Sequence, residues 1–266
     1  MADMMAGAEP YSADPFETGP LETGPRDRPA ARGVLLCHGF TGSPASMVPW
    51  ARDLAERGYR VRVPLLPGHG TRWQDLNATG WRQWYDHLES ELEILTRHCT
   101  RIAIAGLSMG GCLALRLAQE RHDDVDALVL VNPALRLRRA ALAFVPLLKH
   151  VIGSFPGISN DIAKPGIDER GYNRTPLRAL ASQLELWRVT REHLDRVDQP
   201  VLFFKSVTDH VVDDATLQIV KRELSSVEYI DLHNSYHVAT LDYDADEIFT
   251  RSADFLAEHL GDPDGN

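Results

Sequence analysis

The segment RIAIAGLSMGGCLALRLAQE, residues 101–120, places a serine between glycines where one sequence pattern gives way to another. The residues before it are apolar and strand-like, whereas those after it repeat apolar residues at helical spacing. The pattern G-x-S-x-G, with Gly106 and Gly110 around Ser108, predicts a turn too tight for a Cβ at either glycine. The serine would then lie beside a helix N-terminus, which favours developing negative charge. The segment therefore predicts Ser108 as a nucleophile.

The same alternation of strand-like and helical patterns extends through most of the chain. Apolar runs typical of buried strands occupy residues 33–40, 59–66, 101–108, 125–134, 200–206 and 227–235. Helical patterns occupy residues 44–57, 80–98, 109–121, 213–224 and 244–260. This order predicts an α/β fold, with a mostly parallel central sheet flanked by helices.

One connection is longer than a crossover requires, because about 65 residues separate the fourth candidate strand from the fifth. We interpret residues 135–198 as a small helical cap inserted into a core of residues 33–134 and 199–261. The apolar residues of this cap either pack on the core or line an entrance for an apolar substrate. Residues 1–32, with the duplication ETGPLETGP, are read as an N-terminal arm or edge segment, ordered or partly disordered.

A nucleophilic serine needs a base within hydrogen-bonding reach and a carboxylate that orients this base. On such a fold the acid and then the histidine follow the serine along the chain. Asp209 follows the strand-like run 200–206, whereas Asp213 and Asp214 begin the next helix, where acids serve as caps. His237 lies in the polar loop before the last helix, whereas His233 still belongs to the strand pattern. Asp209 and His237 are therefore favoured as acid and base.

Acyl transfer also needs hydrogen-bond donors for the oxyanion that forms on the carbonyl. One donor is predicted to be the N–H of Met109, which follows the serine. The second is predicted to be the N–H of Phe40, in a glycine-containing loop at residues 38–42. We expect His38 and His69 to brace neighbouring loops by hydrogen bonding.

Composition excludes several classes of function. The chain has 266 residues and a formal net charge of −10, which argues against nucleic acid as a partner. Three irregularly spaced cysteines indicate a reducing compartment, so we expect a cytoplasmic protein. Residues 1–15 include Asp3 and lack an apolar core, so no signal peptide is expected, and no apolar run is long enough to predict a membrane span. Histidines 69, 87 and 98 are scattered, so no metal site is expected.

Five motifs, HGFTGSP, PLLPGHG, GLSMGG, SVTDHVV and SYHVATLD, together resemble those of the α/β-hydrolase superfamily. The resemblance is to its small bacterial carboxylesterases and monoacylglycerol lipases, and it covers residues 33–260. It implies hydrolysis of glycerol monoesters and other simple acyl esters without a cofactor. The residues it implies are Ser108 as nucleophile, Asp209 as acid, His237 as base, and Phe40 and Met109 as oxyanion donors.

Two other hypotheses remain open at this point. A thioesterase or an acyltransferase would use the same three residues with a different leaving group or acceptor. A non-catalytic receptor would use the cap cavity for small apolar ligands.

The expected partner is a small acyl ester, and the cap is compatible with transient contact to a lipid surface. A serine at the turn disfavours dehalogenases and epoxide hydrolases of this fold, and the absence of a dinucleotide glycine fingerprint disfavours hydride transfer.

Overall fold

A computed structural model describes residues 16–18 and 31–261 of the chain. Its strands are β1 (Phe16–Thr18), β2 (Ala31–Cys37), β3 (Arg60–Val63), β4 (Cys99–Leu107), β5 (Ala127–Val131), β6 (Ser154–Pro156), β7 (Arg174–Pro176), β8 (Val201–Ser206) and β9 (Val227–Leu232). Its α-helices are α1 (Val48–Glu56), α2 (Trp73–Leu76), α3 (Trp81–Thr96), α4 (Met109–Glu120), α5 (Val145–Leu148), α6 (Leu177–Arg191), α7 (Ala215–Glu223) and α8 (Ala245–Leu260).

Within the described residues, the central sheet has seven strands in the order β1-β3-β2-β4-β5-β8-β9. All neighbouring strands run parallel except β1, which pairs antiparallel with β3. The six predicted strands and the mostly parallel sheet are confirmed. Of the predicted N-terminal arm, residues 1–15 and 19–30 lie outside the described residues. Its described part contributes the edge strand β1 and the first two residues of β2.

Both faces of the sheet are covered, which explains the uninterrupted apolar runs of its central strands. Every residue of β5 and β8 is buried, as expected for parallel strands between two helical layers. One layer contains α3, α4 and α6, and its core includes Trp84, Leu113 and Trp187. The opposite layer contains α1 and α8, and its core includes Trp50 and Leu256. These layers hold the carboxyl edge of the sheet in place.

Residues 135–198, here called the inserted segment, connect β5 to β8. They form a 3-10 helix at Ala140–Phe144, the short helix α5, an antiparallel pair of strands β6 and β7, and α6. The carbonyl of Thr190 in α6 accepts a hydrogen bond from the side-chain amide of Gln119 in α4 (2.9 Å), which fixes this end of the segment on the core. The division into a core and a separate cap remains a prediction. Among the described residues, none of the helices is long and apolar enough to span a membrane.

Candidate active site

Ser108 occupies a strained turn between β4 and α4. Its backbone has φ 56° and ψ −115°, a left-handed conformation that is costly for a residue with a side chain. A Cβ on Gly110 would lie 2.0 Å from the carbonyl oxygen of Cys37, and a Cβ on Gly106 would lie 2.3 Å from the carbonyl carbon of Gly110. Steric overlap therefore excludes any side chain at Gly106 and Gly110. Ser108 follows directly after the carboxyl end of the central strand β4.

His237 and Asp209 are brought together by the loops that follow β9 and β8. Nδ1 of His237 lies 3.0 Å from Oδ2 of Asp209, and the two side chains are 8% and 1% exposed. An ionised carboxylate only accepts hydrogen bonds, so Nδ1 carries the proton and Nε2 is left with a lone pair. Ser108 and His237 line the same cavity. The arrangement has the parts that nucleophilic catalysis by serine requires.

The alternative acids and the alternative base occupy other positions. Asp213 caps α7, since its Oδ1 accepts the N–H of Ala215 at 2.8 Å. Asp214 is exposed at the start of the same helix. His233 is exposed just after the end of β9. None of these three residues lines the cavity that Ser108 and His237 share.

The Asp209 carboxylate is held by a dense set of donors. Its Oδ1 accepts the N–H groups of Val211 (2.9 Å) and Val212 (2.8 Å), and its Oδ2 accepts a bond from Nζ of Lys205 at 3.2 Å. Burial by itself would raise the pKa of Asp209. The His237 ring, Lys205 and the Val212 N–H outweigh burial and hold that pKa well below its ordinary value. The carboxylate therefore stays charged throughout the neutral pH range.

The loop that carries Phe40 is braced by a buried imidazole, as expected for His38. Nδ1 of His38 donates to the carbonyl oxygen of Gly39 (2.9 Å), and Nε2 accepts the N–H of Leu66 (3.2 Å). These two bonds fix the neutral tautomer, and burial lowers the pKa of His38 to about 4. Phe40 lines the cavity beside Ser108. Met109 is the first residue of α4, so its N–H has no acceptor within the helix.

The inserted segment reaches the histidine loop through Asp161. Oδ2 of Asp161 accepts the backbone N–H groups of His237 and His210, each at 3.2 Å. Oδ1 lies 2.7 Å from Nδ1 of His210, and the Asp161 carbonyl accepts the N–H of Val238 at 3.0 Å. One side chain of the inserted segment therefore positions the backbone that carries the predicted base.

A second buried acid, Asp242, connects the same two regions. It is 2% exposed, and its oxygens accept four backbone N–H groups, from Ala163, Lys164, Tyr236 and Tyr243. Two of these donors belong to the inserted segment and two to the histidine loop. A carboxylate satisfied by several N–H donors makes a rigid junction.

The cavity above Ser108 has a volume of about 360 Å³ and a mixed lining. Its apolar wall includes Leu137, Leu142, Leu180, Trp187 and Val212, and its polar groups include Thr41, Asp161, Glu169, Thr175 and Gln183. Most of these residues come from the inserted segment. Burial raises the pKa of Glu169, and its Oε1 accepts the backbone N–H of Asn160 at 2.8 Å.

With this geometry in view, comparison with known proteins identifies the family. The family model described as serine aminopeptidase, S33, matches residues 28–244. The chain belongs to this family. The resemblance drawn from the five motifs is thereby confirmed.

Members of the family and its structural neighbours are similar over most of this chain. A thermostable monoacylglycerol lipase from Bacillus sp. (strain H-257) is 40% identical over 236 residues, 86% of this chain and 92% of its own. A carboxylesterase from Bacillus subtilis (strain 168) is 26% identical over 85% of this chain and 92% of its own. A solved structure of one of the metagenome-derived lipolytic enzymes LipS and LipT has a TM-score of 0.86 and 33% identity, covering 93% of this chain and 98% of that one. These neighbours confirm the α/β-hydrolase fold.

Sequence reasoning missed four charged residues around the site of this family member. Lys205 carried a signal, because a lysine follows four apolar residues in the strand VLFFKS. Asp161, Glu169 and Asp242 carried none, because they lie in irregular stretches where acids are ordinary surface residues. Within residues 16–18 and 31–261, no group of three or more metal-ligating side chains could hold a metal ion.

Proposed function

We propose that this carboxylic ester hydrolase is a carboxylesterase or monoacylglycerol lipase that works through an acyl-enzyme on Ser108. The observation that carries the proposal is one shared cavity. A serine in a strained turn and an imidazole hydrogen-bonded to a buried carboxylate both open onto it. That combination supplies a nucleophile, a base and a group that stabilises the protonated base.

Acylation begins when Ser108 Oγ attacks the ester carbonyl carbon. Nε2 of His237 takes the hydroxyl proton, and the carbonyl electron pair moves onto oxygen. Asp209 then stabilises the imidazolium through Nδ1–H. When the oxyanion collapses, the bond to the alcohol oxygen breaks and the alcohol leaves with the proton from His237. In deacylation a water molecule gives its proton to His237, attacks the acyl carbon and releases the acid, and Ser108 recovers its proton.

The N–H groups of Phe40 and Met109 serve as the oxyanion donors in this proposal. Support comes from the helix N-terminus at Met109 and from the close approach of the Phe40 loop to Ser108. A Cβ added to Gly39 would lie 3.4 Å from the Cβ of Ser108. The loop is rigid because His38 is bonded on both ring nitrogens, so the donors need little reorganisation during the reaction.

Monoacylglycerols suit the two-sided lining of the cavity. The apolar wall accommodates an acyl chain, and the polar side offers partners to an alcohol that keeps free hydroxyl groups. Glu169 lies on that side, and its carboxyl oxygens can accept hydrogen bonds from the hydroxyl groups of such an alcohol. The relative of highest identity named above is called a monoacylglycerol lipase, which agrees with this substrate class.

Transient contact with a lipid surface forms part of the same proposal. The inserted segment exposes a set of apolar side chains, here called the apolar patch, which comprises Phe144, Leu147, Val151, Ile152 and Ile158. Ile158 also lines the cavity. An exposed apolar patch next to a pocket is typical of a surface that meets a lipid or another apolar partner.

We place the protein in the cytoplasm in this proposal. Cys37, Cys99 and Cys112 are free and buried. Burial raises the pKa of Cys112 to about 12, so its thiol is inert. Three unpaired thiols suit a reducing compartment. Cell fractionation with compartment markers tests this, and recovery in a secreted or periplasmic fraction would contradict it.

A substrate panel tests the proposed activity. It compares 1-monoacylglycerols and p-nitrophenyl esters of graded acyl length with acyl-CoA thioesters and aminoacyl p-nitroanilides. We expect oxygen esters to be preferred, with turnover reduced by about 10³-fold or more in Ser108→Ala and unchanged in the exposed Ser225→Ala. A fluorophosphonate probe should label the wild type and Ser225→Ala but not Ser108→Ala. A preference for thioesters or anilides, or an active Ser108→Ala protein, would overturn the proposal.

A further inference from the structure

Lys205 lies where a lysine is unusual, inside the central strand β8. Its side chain is 8% exposed, and lysine is almost never so buried unless it is paired. Its Nζ contacts three oxygens: Oδ2 of Asp209 at 3.2 Å, the carbonyl of Ser206 at 3.0 Å and the carbonyl of Val212 at 3.2 Å. Three acceptors match the three hydrogens of an ammonium group. The arrangement therefore fits the charged form of the side chain.

The Asp209 oxygen that Lys205 contacts is the same Oδ2 that accepts Nδ1–H of His237. The two donors, Nζ of Lys205 and Nδ1 of His237, thus share one carboxylate oxygen, while Oδ1 is occupied by two backbone N–H groups. The positive charge of Lys205 has two effects. It holds the Asp209 carboxylate in place, and it offsets part of the negative charge of Asp209 that favours a proton on His237.

We propose that Lys205 is a positioning residue that acts through Asp209 and keeps His237 unprotonated to a lower pH than the Asp209–His237 pair alone would allow. The inference rests on the proposed ester hydrolysis, in which neutral His237 is the base. It extends that mechanism from three side chains to four.

Other charged groups face this cluster, and they must be held constant. Glu169 and Asp161 face His237 from the inserted segment, and Asp161 is paired with the exposed ring of His210. On β9, the register partner of Lys205 is Asp231, whose side chain is exposed. A change confined to Lys205 leaves these groups in place, so a difference between variants reports the lysine charge.

A neutral residue in place of Lys205 should strengthen proton binding by His237. The acid limb of kcat/KM reports the protonation of the free enzyme's base. In Lys205→Met this limb should move upward by about one pH unit, with a smaller change of the plateau at higher pH. A purely structural role would lower the plateau and leave the limb in place.

The experiment measures kcat/KM for a water-soluble p-nitrophenyl ester across about pH 5 to 9. Lys205→Met and Lys205→Gln should both show the shifted limb, and Lys205→Arg should return it toward the wild type. Lys221→Met, which removes a cation from the surface of α7, is the matched control and should keep the wild-type profile. An unshifted limb in folded Lys205→Met or Lys205→Gln overturns the inference, and so does failure of both to fold, because the role would then be structural.

A direct titration separates this inference from the proposed function. The ring protons of His237 are followed by NMR against pH in the wild type, with Lys205→Met as the comparison. We expect the midpoint to rise in the variant whether or not the ester is a substrate. If the wild type hydrolyses no ester while the midpoint shifts, the proposed function fails and the coupling stands. If esters are cleaved and the midpoint stays fixed, the coupling fails and the function stands.

Discussion

The carboxyl edge of the sheet and the inserted segment build the same cavity in different ways. At the sheet edge, Ser108, Asp209 and His237 are all nearly buried and follow strands that are packed between two helical layers. In the inserted segment, Leu147 is 72% exposed and Val151 is 81% exposed. Its early part thus leaves large apolar side chains uncovered.

The sheet edge is therefore suited to a fixed geometry of side chains, and the early part of the inserted segment to contact with an apolar partner. Dense packing resists small displacements, and at the sheet edge it holds the strained turn of Ser108 and the shared carboxylate of Asp209 in place. In the inserted segment, α6 packs in the helical layer with α3 and α4, and the part that meets the histidine loop is fixed through Asp161 and Asp242. Reaction chemistry should therefore depend on the sheet edge, and substrate choice on the inserted segment.

Removal of the imidazole of His237 at the sheet edge should give the largest loss of activity. We expect His237→Gln to lower kcat by about 10³-fold or more, because glutamine cannot take and return the proton of Ser108. Stopped-assay kinetics on a soluble ester, with thermal unfolding as the check on folding, measures the loss.

His233→Gln is the matched control for this change, since its imidazole is exposed four residues earlier along the same loop. It should keep wild-type turnover. A comparable loss in both variants would mean that the loop as a whole, and not the ring of His237, supports the reaction.

A second prediction concerns the stability of the sheet edge against acid. Burial lowers the pKa of His38 to about 4, from an ordinary value of 6.5. Above about pH 6.5 the ring is neutral in both the folded and the unfolded protein. Between about pH 6.5 and pH 4 only the unfolded chain binds the proton, so the free energy of unfolding falls as pH falls. From pH 7 to pH 4 this histidine should cost on the order of 3 kcal/mol.

Denaturant unfolding at several pH values tests this effect with His38→Gln, which removes the ring. The variant should be less stable than the wild type at pH 7 but lose less stability on acidification. His69 is also buried, with its pKa lowered by burial, so part of the slope remains. His150→Gln, at an exposed position, should keep the wild-type slope. An unchanged slope in His38→Gln would show that the unfolding reaction does not take up a proton there.

The sheet edge was largely predictable from the sequence, and the inserted segment was not. Within G-x-S-x-G, the glycine at position 106 is decided by local sterics, because a Cβ there would overlap the backbone of Gly110 four residues later. Buried parallel strands produce continuous apolar runs, so their order placed Asp209 and His237 in loops at one edge. These are properties of short stretches of chain, and a single sequence records them.

The inserted segment depends on distant pairings that leave little local signal. Strands β6 and β7 have three residues each, too few for a recognisable period. Asp161 and Asp242 are functional only through the backbone N–H groups that the fold brings to them. Lys205 belongs to β8 at the sheet edge, and it did leave a local signal, because a lysine within an apolar strand indicates a buried partner.

A third prediction tests whether the inserted segment also contributes to the geometry of the reaction. Asp161→Asn leaves one oxygen for the two backbone N–H groups that Oδ2 accepts, and it loses the negative charge that strengthens both bonds and faces the ring of His210. We expect kcat/KM to fall about tenfold, because the loop that carries His237 loses part of its anchor. Asp168→Asn, at an exposed position in the same segment, should have little effect. If Asp161→Asn keeps full activity, the sheet edge alone positions the base.

The smallest expected effect concerns the apolar patch and tests whether this patch acts in contact with lipid without affecting the reaction in the cavity. Leu147→Ser with Val151→Ser should leave hydrolysis of a water-soluble short-chain ester unchanged, because neither residue lines the cavity. Hydrolysis of monoacylglycerol presented in phospholipid vesicles should fall roughly three- to tenfold, since less apolar area would enter the lipid surface. Tyr243→Ser, at an exposed aromatic residue outside the patch, is the control and should behave as the wild type with both substrates. Equal losses on the soluble and vesicle substrates would indicate that the patch supports the cavity itself, and the inserted segment would then share the structural role assigned to the sheet edge.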